Sequence, residues 1–184
     1  MFEDILRRIA SALDRAHIPY MVIGGQALLR YGEPRLTKDI DITLGLPPDQ
    51  AAPVLVTIRE LGFRILVDDV DDFLSRTFVL PVQDPSSGIR IDLIFSLSEY
   101  EKTALERAKV VDLDGTSVRF ISPEDLVIHK IVAGRPRDLE DVKNIVLKVK
   151  DLDYQMVRFW LREYDSALGE GFEHRLEEIL AELR

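Results

Sequence analysis

Residues 39–44, Asp-Ile-Asp-Ile-Thr-Leu, alternate polar and apolar without a break. Side chains of a strand point to opposite faces in turn. The stretch therefore predicts a half-buried strand with Asp39, Asp41 and Thr43 on one face and Ile40, Ile42 and Leu44 on the other. The two carboxylates then stand on the same side, roughly 7 Å apart along the backbone by the strand rise, and their side chains can converge on one hard cation. A solvent-facing polar edge is the plainer reading of an isolated Asp-x-Asp. Two facts weigh against it here: aspartate is a poor strand former, and two same-face carboxylates repel unless a cation offsets them.

A second alternating run, Ile89 to Phe95, sets Ile89, Ile91, Leu93 and Phe95 inward and Arg90 and Asp92 outward. Around these strands the pattern alternates between helix and strand. Phe2, Ile5, Leu6, Ile9 and Leu13 mark an amphipathic helix. Tyr20–Ile23 reads as a short strand running into Gly24-Gly25, and Gln26–Arg30 as a helix stopped by Gly32 and Pro34. Pro47-Pro48 opens a helix expected to bury Val54, Leu55, Ile58 and Leu61, closed by Gly62. Strands are expected over Phe63–Val67 and Thr77–Val82, with the acidic stretch Asp68–Asp72 between them as a solvated loop or helix start. Residues 98–108 read as helix, and Asp114-Gly115 as the turn of a hairpin. From Ser122 the chain reads as helix throughout, beginning with a capping hydroxyl, a proline and two acids. The expected fold class is α/β (α+β), a mixed sheet with flanking helices and a C-terminal helical extension. The expected division is an α/β core over 1–121 and a helical region over 122–184 packed on it.

Composition narrows the function. With 184 residues, 46% of them hydrophobic, the chain has enough apolar surface for a real core. Twenty-four Lys and Arg against 33 Asp and Glu give a net charge of −9, a mean field that repels nucleic acid and anionic membrane. A local basic cleft stays open as an alternative. The absence of cysteine excludes disulfides, thiolate zinc sites and thiol nucleophiles. No basic leader precedes an apolar run at the N-terminus, and no run approaches the ~18 apolar residues of a membrane span. A cytoplasmic protein without a membrane partner is the expectation.

Three features carry chemistry. Gly24-Gly25 at a strand-to-helix junction permits positive φ and close approach of backbone amides to an anion, although such a pair is more often just a turn. Asp39-x-Asp41 is a candidate cation site. Asp92 is a third carboxylate if its strand lies beside the first, and a solvated strand position otherwise; together the three allow a two-metal site. Among the remaining residues, Arg35 reads equally as a phosphate contact or a surface arginine. Lys130 alone reads as a snorkelling lysine, Asp138 and Asp141 as structural ion-pair partners, and Arg90, Arg135 and Arg137 as a basic rim. His17, His129 and His174 lack metal-ligand spacing.

Taken jointly, Gly24-Gly25-Gln26-Ala27, Tyr31-Gly32, Arg35-x-Thr37-x-Asp39-Ile40-Asp41 and Ile91-Asp92-Leu93 resemble the nucleotidyltransferase superfamily, with its DNA polymerase β-type palm and its Gly-Gly, Asp-x-Asp, Asp pattern. The wording of residues 24–44 is most similar to a small prokaryotic branch that includes AbiEii-type abortive-infection toxins. Ser122–Leu126 through Lys130 and Arg137–Asp141 resemble that branch as well.

The resemblance implies a Mg²⁺-dependent transfer of a nucleoside monophosphate from an NTP to a hydroxyl, with Mn²⁺ as an alternative ion and two ions in the site. Asp39, Asp41 and Asp92 would be the metal-binding and catalytic carboxylates. Gly24 and Gly25 would hold the β- and γ-phosphates, and Gln26, Arg35, Thr37 and Lys130 would line the nucleotide site. Gln26 departs from the serine many members carry there. The implied acceptors are an RNA end, a protein hydroxyl or a small molecule, and the AbiEii likeness implies an antitoxin protein as partner. The competing expectation is a non-catalytic nucleotide- or partner-binding module that keeps the fold.

Overall fold

The computed structural model describes residues 1–33, 36–96 and 98–183. Arg35, an expected phosphate contact, lies outside the described residues. The chain divides into two compact units, Met1–Gln26 with Leu36–Ile121, and Ala27–Arg35 with Ser122–Arg184.

The first unit holds a seven-stranded mixed sheet. In chain order its elements are α1 (Phe2–Arg15), β1 (Tyr20–Ile23), the start of α2 (Gly24–Tyr31), β2 (Asp39–Leu44), α3 (Ala52–Glu60), β3 (Arg64–Ile65), α4 (Val70–Thr77), β4 (Val79–Gln83), β5 (Arg90–Phe95), α5 (Glu99–Arg107), β6 (Lys109–Leu113) and β7 (Thr116–Phe120). The strand order is β3-β4-β5-β2-β1-β7-β6. β2 runs parallel to β5 and β1 parallel to β7, while the other neighbours are antiparallel. α1 packs on β7 and α4 on β4. The expected inward faces are buried: Ile5, Leu6, Ile9 and Leu13 on α1, Ile40, Ile42 and Leu44 on β2, and Ile91, Leu93 and Phe95 on β5. At the hairpin turn Asp114 and Gly115 both take positive φ, 47° and 81°, the twist that matches two right-twisted strands.

Several elements differ from expectation for local reasons. The helix after Pro47-Pro48 is split: Pro48–Gln50 forms one 3₁₀ turn, and α3 begins at Ala52. On α3 Thr57 is buried with Val54 and Ile58, its hydroxyl donating to the Pro53 carbonyl at 2.9 Å, whereas Leu55 and Leu61 are half-buried. The strand expected over Phe63–Val67 is only two residues long. The acidic stretch starts a helix, since the Asp69 carboxylate caps α4 by accepting from the Asp72 amide at 3.0 Å. That helix runs to Thr77, and Phe78 takes a left-handed φ of 59° before β4 begins, two residues later than expected.

The second unit is helical, with the remainder of α2, α6 (Pro123–Ala133), α7 (Pro136–Lys148), α8 (Tyr154–Leu168) and α9 (Phe172–Glu182). Ser122 caps α6 by accepting from the Asp125 amide at 3.1 Å, and Gly134 ends it at a φ of 63°. α6 packs against α7, α8 and α9 through a core that includes Leu126, Ile128, Val142, Ile145, Val157, Leu161, Phe172 and Leu176. Among the described residues, no helix is long and apolar enough to cross a membrane.

Candidate active site

β2 and β5 pair in a register that sets Asp39 opposite Arg90 and Asp41 opposite Asp92. Because alternate residues share a face, these four side chains form one patch, three carboxylates and a guanidinium. Exposure falls along β2 from Asp39, which is exposed, through half-buried Asp41 to buried Thr43. The polar face thus opens to solvent only at the Asp39 end. Asp92 is half-buried at 18% side-chain exposure, and its Oδ1 accepts from Arg90 Nε at 2.9 Å. Sequence reasoning put Arg90 on a general basic rim and missed this contact. The signal was present, since Arg90 and Asp92 are two residues apart on one strand and must share a face.

The other wall is the glycine turn. β1 pairs with β2 so that Ile23 lies opposite Asp41, and the chain then turns into α2 at Gly24, whose φ is +61°. A Cβ at Gly24 would lie 2.1 Å from Asp41 Oδ2. The carboxylate therefore rests directly over the backbone at the start of α2, at a position only glycine fills. The first amides of a helix have no intrahelical acceptor, so this turn presents donors beside the acids. Gly25, without a positive φ, is also tightly packed, because its Cβ would lie 2.2 Å from Thr37 Cγ2.

Gln26 and Thr37, both expected at the nucleotide, meet each other. Gln26 is 6% exposed and its Nε2 donates to Thr37 Oγ1 at 2.8 Å. Their bond ties the approach to β2 against the first turn of α2.

Lys130 belongs to the second unit and is 5% exposed. Its ammonium donates to Asp138 Oδ1 at 2.9 Å and to Asp141 Oδ2 at 2.7 Å. Arg135 adds a second cation to Asp138. Burial alone would raise the Asp138 carboxyl, but the hydrogen bonds from Arg135 and Lys130 outweigh it and hold the group below its ordinary range.

The model of one family, described as nucleotidyltransferase of unknown function (DUF6036), matches residues 1–179. The chain belongs to this nucleotidyltransferase family. As such it is a transferase of phosphorus-containing groups. No curated protein matches the chain. Among solved structures it is similar to the antibiotic-resistance factor ANT(2″)-Ia in solution, at 16% identity and a TM-score of 0.61, covering 94% of this chain and 97% of that one. ANT(2″)-Ia in complex with adenylyl-2″-tobramycin gives 17% identity and a TM-score of 0.57, over 88% of this chain and 97% of that one. An antigenic nucleotidyltransferase-like protein from Paracoccidioides brasiliensis gives 16% and 0.56, over 95% and 91%. Identities this low bear on the fold alone, and they agree with the mixed sheet described above.

In this nucleotidyltransferase the donor set fits a hard cation by its chemistry. The acids offer carboxylate oxygens, and the Gly24 turn sets its backbone directly against Asp41. Magnesium binds in this manner, through one or two carboxylates plus substrate phosphates. Among the described residues, no three or more His, Asp or Glu side chains, Asp39, Asp41 and Asp92 included, are placed close enough together to hold a metal ion as they stand.

Proposed function

We propose that the chain transfers a nucleoside monophosphate from an NTP to a hydroxyl of a small cationic molecule and releases pyrophosphate. The observation that carries this reading is the register that sets Asp41 opposite Asp92 beside a turn that only glycine fills. Asp39, Asp41 and Asp92 would hold a divalent ion, Mg²⁺ or Mn²⁺, with a two-ion site as the fullest form. When bound, such an ion offsets phosphate charge and acidifies the attacking hydroxyl.

The chain's own groups do the rest. The amides of Gly24 and Gly25 receive β- and γ-phosphate oxygens at the start of α2. Gln26 and Thr37 keep that turn in place against the approach to β2. Asp92 accepts the acceptor's proton as general base. The acceptor oxygen bonds to the α-phosphorus, the bridge from that phosphorus to the β-phosphate breaks, and pyrophosphate carries away the electron pair. Most of the rate enhancement comes from alignment and charge neutralisation.

The net charge of −9 supports a cationic acceptor over extended RNA. The fold shared with ANT(2″)-Ia, seen with an adenylylated tobramycin, points the same way. An RNA acceptor, an antitoxin partner and a toxin role rest only on the likeness of residues 24–44, 122–130 and 137–141 to the AbiEii-type branch. Incubation with Mg²⁺, each α-labelled NTP, an aminoglycoside panel and an RNA panel tests the reading. Label on an aminoglycoside is the expected result. Label on RNA alone would reverse the choice of acceptor.

The second reading, a non-catalytic nucleotide- or partner-binding module, is favoured by two observations: the three acids are not placed close enough together to hold a metal ion, and Asp92 is engaged by Arg90. It requires nucleotide binding with no magnesium-dependent transfer to any acceptor.

A further inference from the structure

The four-residue patch on β2 and β5 contains one cation, Arg90. It stands opposite Asp39 in register and puts Nε 2.9 Å from Asp92 Oδ1. Like charges placed directly opposite one another across neighbouring strands destabilise the pairing, and Asp41 faces Asp92 in this way. A guanidinium donating to Asp92 offsets that repulsion. Arginine does not lose its proton in a protein, so an ion approaching Asp92 meets both an occupied oxygen and a fixed positive charge. The Arg90 side chain is 54% exposed, so it is free to leave. A polyphosphate offers it a better partner than one carboxylate oxygen, because phosphate accepts a guanidinium through two parallel hydrogen bonds.

We propose that Arg90 is the resident counter-cation of the acid trio: it occupies Asp92 in the nucleotide-free protein, keeps divalent-ion binding weak, and moves to the nucleotide's phosphates when nucleotide and ion enter together. Ion and nucleotide then support each other's binding, and the coupling is reciprocal. This rests on the metal-and-nucleotide reading above.

The test is titration of the full chain with Mn²⁺, followed by electron paramagnetic resonance, with and without the α,β-methylene analogue of ATP. Wild type, Arg90→Gln, Arg90→Lys and Asp92→Asn are compared. Without nucleotide, Arg90→Gln binds Mn²⁺ about two- to fivefold more tightly than wild type, the range expected for releasing a half-exposed ion pair. Arg90→Lys, which keeps the charge, stays near wild type. With the analogue present the advantage of Arg90→Gln closes or reverses. Equal or weaker Mn²⁺ binding by Arg90→Gln in the nucleotide-free protein overturns the proposal, as does parallel weakening in both arginine variants, the mark of a residue that merely props β5. If wild type shows no Asp92-dependent Mn²⁺ binding even with the analogue, the functional reading fails together with it. If that binding is present and only the Arg90→Gln difference is missing, the functional reading stands and this proposal alone falls.

Discussion

Asp41 and Asp92 lie directly opposite each other on neighbouring parallel strands, although the 3₁₀ turn, α3, β3, α4 and β4 intervene between them along the chain. The sheet brings them together because β5 pairs with β2 on one side and with β4 on the other. Two carboxylates held in that relation repel, and a cation at their end of the sheet relieves the repulsion. Asp41→Asn and Asp92→Asn should therefore lower nucleotidyl transfer by at least ~100-fold while shifting unfolding stability by less than about 1 kcal/mol. Transfer assays and denaturant titrations of the same preparations check both halves.

Gly24 is the most sterically constrained position of the turn. Alanine there would carry φ +61° and put its Cβ 2.1 Å from Asp41 Oδ2. A left-handed non-glycine residue costs about 1–2 kcal/mol, and the collision forces the carboxylate aside. We expect Gly24→Ala to lower both stability and transfer. Alanine at Gly62, also at positive φ but with nothing within 4 Å of its Cβ, should show only the conformational cost.

The Gln26–Thr37 bond gives a second local test. Thr37→Val keeps the methyl group that packs on Gly25 but leaves the buried Gln26 amide without its acceptor, at about 1–3 kcal/mol. Thr37→Ser keeps the acceptor. If the bond positions the glycine turn, Thr37→Val raises KM for the NTP and Thr37→Ser restores most of it. Equal behaviour of the two variants would contradict a role for the hydrogen bond.

These tests also mark how far the residues alone reach. Strict alternation made β2 and β5 legible, with the faces of Asp39, Asp41 and Asp92 assigned, because a two-residue period has one physical cause. The pairing of β2 with β5 was not legible by period, since alternation says nothing about neighbours; it came only through the family pattern. α4 was read no further than a helix start because Leu74 is its one buried residue, which leaves no apolar stripe to detect. Lys130 looked like a surface lysine with a stem along an apolar face. Its partners Asp138 and Asp141 sit on the next helix, where a three-residue spacing fits a solvated ion pair as well as a buried one.

Lys130 joins α6 to two buried carboxylates of α7. Lys130→Met would leave Asp138 with Arg135 alone and remove one cation from Asp141. Breaking a buried ion pair from one side costs about 3–5 kcal/mol, so this variant should unfold at markedly lower denaturant concentration. A change under about 1 kcal/mol would show that the cluster is more hydrated than its burial indicates.

The same cluster gives stability a defined acid limb. Asp138 is held below its unfolded value of 3.8, so at intermediate pH the unfolded chain binds more protons than the folded one. Its contribution is fully present above the unfolded value and is lost as pH falls through the lower folded one. Wild-type stability should therefore decline below about pH 4, and Asp138→Asn should start lower at neutral pH and decline less steeply. Superimposable slopes would remove Asp138 from the acid limb.

The most direct test of the acid trio as a nucleotidyl-transfer site is a mass measurement on the acceptor. In a reaction with Mg²⁺, NTP and a hydroxylated cationic acceptor, we expect the acceptor to gain one nucleoside monophosphate for each pyrophosphate released, and to gain none with Asp41→Asn or Asp92→Asn. Undiminished adduct formation by either variant, or phosphate release with no adduct at all, would contradict it.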